Sequence, residues 1–225
     1  YGGSILGTAE RFGLTADRVV YAEAAGAGVG VHDPADWHNR NPAVLRFSMT
    51  APGDVIGLVQ GFPTGPHGAD PHHECSDREL QAGDIVVVDI GGPYEPGYNS
   101  DSTRTYSLGE PDPEVARRYS VLQHAQRAAV EAVRPGVTAE QVDAAARDVL
   151  AAEGLAEAFV HRTGHGIGLS VHEEPYIVAG NSLPLQEGMA FSVEPGIYFA
   201  GQWGARIEDI VIVTADGALS VNNRP

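Results

Sequence analysis

The stretch VVVDIGGPYEPGYNSDSTRTY carries two aspartates, Asp89 and Asp101, one on each side of a Gly/Pro-rich turn. Asp89 closes an apolar run, where a carboxylate is costly to bury unless a positive group meets it. Three residues in similar Gly-rich strand or turn settings follow downstream: His165, Glu194 and Glu208. Each alone can be interpreted as a turn histidine, a strand-ending glutamate or a solvated strand residue. Together the five indicate a cluster of four carboxylates and one imidazole.

Charge arithmetic makes this cluster a predicted dinuclear metal site. Four carboxylates in one cleft repel each other and most would be protonated, whereas two divalent cations balance their negative charges. Two-metal sites hold their ions ~3.5–4 Å apart and lower the pKa of a bound water. The oxygen-rich donor set suits Mn²⁺, with Co²⁺ or Zn²⁺ as alternatives, and differs from a closed structural zinc site.

The composition excludes several classes of function. A net charge of −16 argues against binding to nucleic-acid phosphates or to an anionic membrane face, so we expect small molecules, peptides or proteins as partners. The chain has no lysine, which excludes Schiff-base chemistry, and no Gly-x-Ser-x-Gly motif of serine hydrolases. A single cysteine and the lack of a long apolar run predict a soluble, cytoplasmic protein. The chain opens on Tyr1 without a signal-peptide pattern, so further N-terminal sequence is expected.

The sequence predicts strands, then two helices, then further strands as the elements that position the candidate ligands. Two strands are predicted at DVIGLVQG and GDIVVVDIGG, with Thr103–Leu108 as the hairpin partner of the second. Asp112 and Pro113 begin one predicted helix, whose buried face carries Val115, Tyr119, Leu122 and Ala129.

A capping box at Thr138–Gln141 begins a second predicted helix, with Val142, Ala145, Val149 and Leu150 directed inward. Three more strands are predicted: Phe159–Arg162, Met189–Glu194 and Ile207–Val213. This order favours an α+β fold with a curved, mainly antiparallel sheet flanked by helices.

The candidate ligands fall in ordered motifs: DIGGPYEPGYNSDSTRT, HRTGHGIGLSVHEEP, SVEPGIY and RIEDIVIVT, followed by the terminal NNRP. From Gly61 to Pro225 the chain thereby resembles the pita-bread metallopeptidases, in the Xaa-Pro branch that contains prolidase and aminopeptidase P. The resemblance implies hydrolysis of peptides with proline at the second position, two divalent metal ions and a homodimer.

The resemblance also implies a role for each ligand. Asp89 is implied to bind one metal ion, and His165 and Glu194 to bind the other. Asp101 and Glu208 are implied to bridge both ions. Glu194 is further implied to accept a proton from the bridging water.

Three histidines match the substrate-side histidines of the family: His72, His161 and His172. His161 and His172 are implied to hydrogen-bond the peptide and to steady the tetrahedral intermediate. Arg206 lies two residues before Glu208 and is therefore predicted on the same strand face, where it would either orient that carboxylate or contact substrate.

The chain departs from the family pattern in two places. The turn between Asp89 and Asp101 is one residue longer, which a hairpin tip can absorb. Residues 1–53 do not show the long helices that open the family fold, and they are left as an unassigned segment. Residues 54–225 are predicted to form the catalytic domain.

Three functions remain open at this point: an Xaa-Pro peptidase, a non-peptidase hydrolase or lyase on the same fold, and a catalytically silent binding homologue. Within the first, a dipeptidase must bind the proline carboxylate, which calls for an arginine or an equivalent donor set. No arginine occurs between Arg162 and Arg206, leaving these two, Arg104 or the N-terminal segment as candidates. We therefore weigh a preference for C-terminally extended substrates, as in aminopeptidase P.

Overall fold

A computed structural model describes residues 18–22, 45–49, 58–61, 65–71, 78–94 and 97–222. Contacts divide the chain into two compact units, one comprising residues 1–59 with 92–94 and the other residues 60–91 with 95–225. In the first unit, strands β1 (Arg18–Ala22) and β2 (Leu45–Met49) pair in parallel. The predicted boundary between residues 53 and 54 stays a prediction.

The predicted hairpin around the two aspartates is present. Strands β3 (Leu58–Gly61), β4 (Ile85–Tyr94) and β5 (Tyr98–Ser107) form a three-stranded sheet with β4 in the middle. β5 begins earlier than its predicted start at Thr103. The cause is that the residues before Thr103 are mostly polar and include buried Asp101, which a hydrophobic pattern interprets as turn.

Both predicted helices form, as α1 (Pro113–Ala132) and α2 (Ala139–Ala152). The Asp112 side chain accepts a hydrogen bond from the Glu114 N–H at 2.8 Å and so caps α1. The Gln141 side chain accepts one from the Thr138 N–H at 2.9 Å at the start of α2.

The predicted inward face of α2 needs a correction. Ala145 and Val149 are only half-buried, whereas Ala146 is fully buried. The face is rotated because Asp143 also points inward, where its carboxylate accepts hydrogen bonds from the Thr163 hydroxyl at 2.7 Å and from Arg147 at 2.7 Å. A hydrophobic pattern does not predict Asp143 as a buried residue, because its burial depends on these hydrogen bonds.

The rest of the chain is built from antiparallel strands. They are β6 (Gly164–Gly166), β7 (Glu173–Ile177), β8 (Ala190–Val193), β9 (Gly196–Phe199), β10 (Trp203–Arg206), β11 (Asp209–Thr214) and β12 (Gly217–Ser220). Five of them form one sheet in the order β12-β11-β8-β6-β7, and β9 pairs with β10. The hydrophobic core contains fully buried Leu122 and Leu150 from the two helices and Phe191 and Val211 from the five-stranded sheet. The two helices therefore cover one face of this sheet.

The predicted strand Phe159–Arg162 is wrong, since the strand in this region is β6. Arg147 donates hydrogen bonds to the carbonyls of Phe159, at 3.3 Å, and His161, at 2.6 Å. The Arg147 guanidinium thus donates to carbonyl groups that would accept hydrogen bonds from a neighbouring strand if this segment were a strand.

The predicted strand Ile207–Val213 begins two residues late, at Asp209. Glu208 instead forms an isolated bridge in which its N–H donates to the Thr103 carbonyl at 3.0 Å. Within the described ranges, no helix is both long and apolar enough to cross a membrane.

Candidate metal centre

All five predicted ligands line one cleft of about 450 Å³ in the larger unit. Each comes from a different place in the fold: Asp89 from β4, Asp101 from β5, His165 from β6, Glu194 from the end of β8 and Glu208 from the bridge before β11. Residues far apart in the chain therefore meet where the hairpin and the larger sheet approach each other.

The tightest group within the cleft is formed by Asp101, His165 and Glu208. One ligand atom from each lies within 4.8 Å of the others, and the three residues are only 5%, 2% and 2% exposed. Glu194 joins them through its Oε1 atom, 3.2 Å from His165 Nε2. This spacing lets several donors converge on one small cation.

Two buried carboxylate oxygens show that the residues fit divalent cations. Asp89 Oδ1 and Glu208 Oε1 are both buried and have no hydrogen-bond partner among the described residues. Such atoms are rare because an unpaired buried polar group is costly, and a bound ion is one of the standard reasons for them. Together with the imidazole and the lack of a thiolate, they match the donor preference of Mn²⁺ and related ions.

Neighbouring hydroxyls hold two of the ligands in place. Thr103 Oγ1 donates to Glu208 Oε2 at 2.6 Å, which leaves Oε1 free for another partner. The Ser192 hydroxyl donates to Glu194 Oε1 at 3.1 Å and accepts from the His165 N–H at 3.0 Å. Hydrogen bonds of this kind orient ligands before an ion arrives.

The tautomer of His165 follows from its own carbonyl contact. Nδ1 lies 3.1 Å from the Gly166 carbonyl oxygen and therefore donates to it, which directs Nε2 into the cluster. Burial opposes charge on His165 and on Glu194, but the hydrogen bond between them and the surrounding charges together outweigh it, raising the pKa of His165 and lowering that of Glu194. A divalent cation would compete with this shared proton for the same two atoms.

Arg206 contacts Asp89 and not Glu208. Its Nη2 donates to Asp89 Oδ2 at 2.5 Å and its Nη1 to the Tyr198 hydroxyl at 3.0 Å. β10 ends at Arg206, so the first of the two roles predicted for this residue, orienting the Glu208 carboxylate, gives way to a contact with Asp89 across the cleft, while the second, contact with substrate, stays a prediction. Burial disfavours the charge of Arg206, yet Tyr198 and the negative charges of Asp89 and Glu208 together raise its pKa.

The carboxylates repel each other in the metal-free protein. Burial, followed by the charges of Asp89 and Glu194, raises the pKa of Asp101 to about 7. Burial, followed by Glu194 and Asp101, raises the pKa of Glu208 well above its usual value. When no cation is present, the carboxyl group of Asp101 therefore titrates near neutral pH.

We expect metal affinity to fall as the pH drops below about 7, where Asp101 is protonated. A cation must displace these protons, so affinity should change roughly tenfold per pH unit for each proton released. Calorimetric titration with Mn²⁺ at about pH 6, 7 and 8, in buffers of different ionisation enthalpy, measures both the affinity and the protons released. Binding that is independent of pH would contradict this assignment.

The predicted substrate histidines take different positions. His172 is exposed at the cleft with its ring centroid 4.2 Å from that of His165, outside the group of Asp101, His165 and Glu208. His161 Nδ1 lies 2.7 Å from the Arg162 carbonyl and donates to it, so Nε2 accepts from the Tyr198 hydroxyl at 2.8 Å. His72 lies outside the described residues.

Sequence reasoning missed three residues that shape the site: Thr103, Tyr198 and Gly91. All lie inside the motifs that carry the ligands, and that proximity is the signal that could have found them. At Gly91 an added Cβ would stand 2.5 Å from the Ser100 carbonyl oxygen and 3.0 Å from Asp101 Oδ1. Only glycine fits there, so β4 and β5 can approach closely enough to place both aspartates in the cleft.

Comparison with known proteins supports the resemblance to metallopeptidases. The family model "Metallopeptidase family M24" matches residues 56–215. The chain is 81% identical over 172 residues to a protein of Mycobacterium tuberculosis named "Probable dipeptidase PepE", covering 76% of this chain and 45% of the relative. It is 48% identical over 153 residues to an Xaa-Pro dipeptidase of Lactobacillus helveticus, covering 68% and 41%.

A solved structure gives the fold. The crystal structure of dipeptidase PepE from Mycobacterium ulcerans superposes with a TM-score of 0.75 at 77% identity, over 77% of this chain and 46% of that one. The predicted α+β pita-bread fold is confirmed. The chain spans less than half the length of each of these three relatives. On the match to residues 56–215, the chain belongs to metallopeptidase family M24.

Proposed function

We propose that the chain carries the catalytic centre of a dinuclear metal-dependent Xaa-Pro dipeptidase. The observation that carries this proposal is the convergence of Asp101, His165 and Glu208 in one cleft, beside two unpaired buried carboxylate oxygens. Family membership supports a peptidase, and the names of the relatives support dipeptides with proline at the second position as substrates.

In this proposal the ligands keep the roles that the family resemblance implies. Asp89 would bind one ion, His165 and Glu194 the other, while Asp101 and Glu208 would bridge them. Mn²⁺ is the ion we propose, because the donors are mainly carboxylate oxygens. When bound, two divalent ions supply Lewis acidity and lower the pKa of a bound water.

The protein's own groups would move protons and orient the peptide. Burial opposes the charge of Glu194, but hydrogen bonding and charge from His165, together with His161 and Arg206, lower its pKa. Its carboxylate is therefore ionised and able to accept a proton. Burial, then the nearby His165 and Arg162, lower the pKa of His172, so this ring is neutral at pH 7 and can donate a hydrogen bond without carrying charge.

Replacing His172 with alanine is expected to reduce turnover by about 10²-fold or more, while metal content stays near that of the wild type. The reason is that His172 lines the cleft but is not one of the five residues proposed to hold the ions. Paired measurements of metal content and kcat check this. A His124→Ala variant, on the exposed face of α1, is the matched control. Metal loss in the His172 variant would make it a ligand instead.

A substrate panel tests the proposed function. The protein supplied with Mn²⁺ should hydrolyse Ala-Pro and Met-Pro, and should act on Ala-Ala at least about 10²-fold more slowly. Folded, metal-loaded protein that hydrolyses none of them would favour the silent homologue. Turnover of non-peptide esters or amides alone would favour a non-peptidase enzyme on the same fold.

The proposal extends to a homodimer and a cytoplasmic location. The family resemblance implies the dimer, and the acidic composition with a single cysteine supports the location. Analytical ultracentrifugation of the metal-loaded protein tests the dimer, and a sedimentation coefficient of a monomer at micromolar concentration would contradict it.

A further inference from the structure

The two ligands proposed to bridge the ions come from different sheets. Asp101 lies on β5 of the hairpin sheet, whereas Glu208 directly precedes β11 of the five-stranded sheet. The two backbones meet in an isolated bridge, where the Glu208 N–H donates to the Thr103 carbonyl at 3.0 Å. A regular ladder would repeat such bonds along both strands. Side chains must therefore help to fix the distance between the two ligands.

Arg104 makes the first connection, at the Glu208 end of this junction. Its Nη1 donates to the Thr103 carbonyl at 2.8 Å and to the Glu208 carbonyl at 2.5 Å. Its Nη2 donates to the Asp209 carboxylate at 2.6 Å, and Gln126 on α1 donates to the other oxygen of that carboxylate at 3.0 Å. The Asp209 side chain is buried, so these charge-assisted bonds are little weakened by water. The backbone of Glu208 is thereby held against β5 and anchored to a helix.

Asn222 makes the second connection, at the Asp101 end. It is the first residue of the terminal NNRP motif. Its Nδ2 donates to the Asp101 carbonyl at 2.8 Å, and its Oδ1 accepts from the Ile210 N–H at 2.6 Å. The Val221 N–H donates to the Ile210 carbonyl at 3.0 Å, which holds the segment with Asn222 beside β11. One planar amide thus ties β5 to β11 at a fixed distance.

Both connections act on the backbones of the ligands and not on the ions. Neither Arg104 nor Asn222 is among the described residues that line the cleft. The Glu208 carboxylate is in turn held by the Thr103 hydroxyl at 2.6 Å, so the backbone spacing passes to the ligand atoms. A bridging carboxylate must reach two ions that lie ~3.5–4 Å apart, and this spacing therefore decides whether the second ion is held.

We propose that Arg104 and Asn222 are positioning residues that set the spacing of Asp101 and Glu208 and thereby allow a second metal ion to bind. This inference rests on the proposed function and names what its dinuclear centre depends on. Arg104, which the sequence left as a candidate for binding substrate, has this role instead.

Asn222→Ala removes both hydrogen bonds of the second connection without leaving a buried charge. Calorimetric titration of the chelated variant with Mn²⁺ should show the tighter ion within about 3-fold of its wild-type affinity and the weaker ion at least about 10-fold weaker, the usual loss when a group behind a ligand is removed. The kcat for Ala-Pro at limiting Mn²⁺ should fall, and excess Mn²⁺ should restore it. Val221→Ala, which truncates the exposed neighbouring side chain, is the control and should keep both affinities.

Arg104→Lys tests the first connection. It keeps the positive charge beside Asp209, but one ammonium nitrogen replaces the two guanidinium nitrogens that reach the carboxylate and the carbonyls. The weaker ion should again lose at least about 10-fold in affinity. Arg127→Lys, exposed on α1, is the control. Thermal unfolding shows that each variant is folded, and because the variants probe separate connections, misfolding of one leaves the other decisive.

Wild-type affinity for both ions in the folded variants would overturn the positioning role, and so would an equal weakening of both ions. A wild type that binds two ions but hydrolyses no Xaa-Pro dipeptide contradicts the proposed function, while the affinities for the second ion still decide the role of Arg104 and Asn222. A wild type that binds fewer than two ions overturns both.

Discussion

Asp101→Asn is expected to release at least one metal ion per chain and to lower kcat for Ala-Pro by at least about 10²-fold. Asp101 is 5% exposed and belongs to the one tight group with His165 and Glu208 among the described residues. Asparagine preserves the shape and removes the negative charge that a bridging ligand must carry. Elemental analysis of the purified variant and the Ala-Pro rate measure the two losses.

Unlike its metal content and activity, the thermal stability of the metal-free Asp101→Asn protein should not fall. Without metal, the raised pKa of Asp101 shows that the folded protein favours the protonated form, first through burial and then through Asp89 and Glu194. The stability that the protonated Asp101 carboxyl group contributes to the metal-free fold is therefore lost as the pH rises from the ordinary pKa of an aspartate to about 7.

The metal-free Asp101→Asn protein should accordingly be at least as stable as metal-free wild type near pH 8, as judged by thermal unfolding. Asp148→Asn, an equal charge change on the exposed face of α2, is the control. Wild-type activity in the Asp101 variant, or an unfolded protein, would contradict its assignment as a ligand.

Glu194→Gln is expected to reduce turnover by about 10²–10⁴-fold, and by more than it reduces metal occupancy. Glu194 contacts His165 at 3.2 Å and receives the Ser192 hydroxyl at 3.1 Å, so its carboxylate is held in place while one oxygen can accept a proton. Glutamine keeps an oxygen atom that can ligate a metal ion, but its amide does not act as a base. Rates normalised to bound metal separate the two roles.

The control for this experiment is Glu187→Gln, an exposed glutamate that precedes β8. It should keep both the metal and the rate. If the loss in Glu194→Gln is strictly proportional to lost metal, Glu194 is a ligand without a role in proton transfer.

The sequence predicted the parts of the site that depend on local pattern. The hairpin with Asp89 and Asp101 was predictable because turn residues separate two β-rich runs, and the longer turn leaves both aspartates in the cleft. The caps at Asp112 and Thr138 were predictable because N-cap chemistry is local.

The parts that failed depend on contacts between distant residues. Phe159–Arg162 has a strand-like composition, but Arg147 on α2 binds its carbonyls, which no local pattern reveals. The partner of Arg206 was missed because it lies on β4, 117 residues away in the chain. β5 was predicted too short because the residues before Thr103 are mostly polar, and buried Asp101 among them lines the cleft. The local rules therefore failed where the site itself sets the residue type.

The most direct test of the central claim is a titration of the chelated protein with Mn²⁺ while Ala-Pro hydrolysis is followed. The proposed dinuclear centre predicts no hydrolysis without metal, and activity that rises until about two ions are bound per chain. Chelation by EDTA should abolish the recovered activity again. Hydrolysis of Ala-Pro by protein shown to be metal-free, or two bound ions with no hydrolysis of any Xaa-Pro dipeptide, would contradict it.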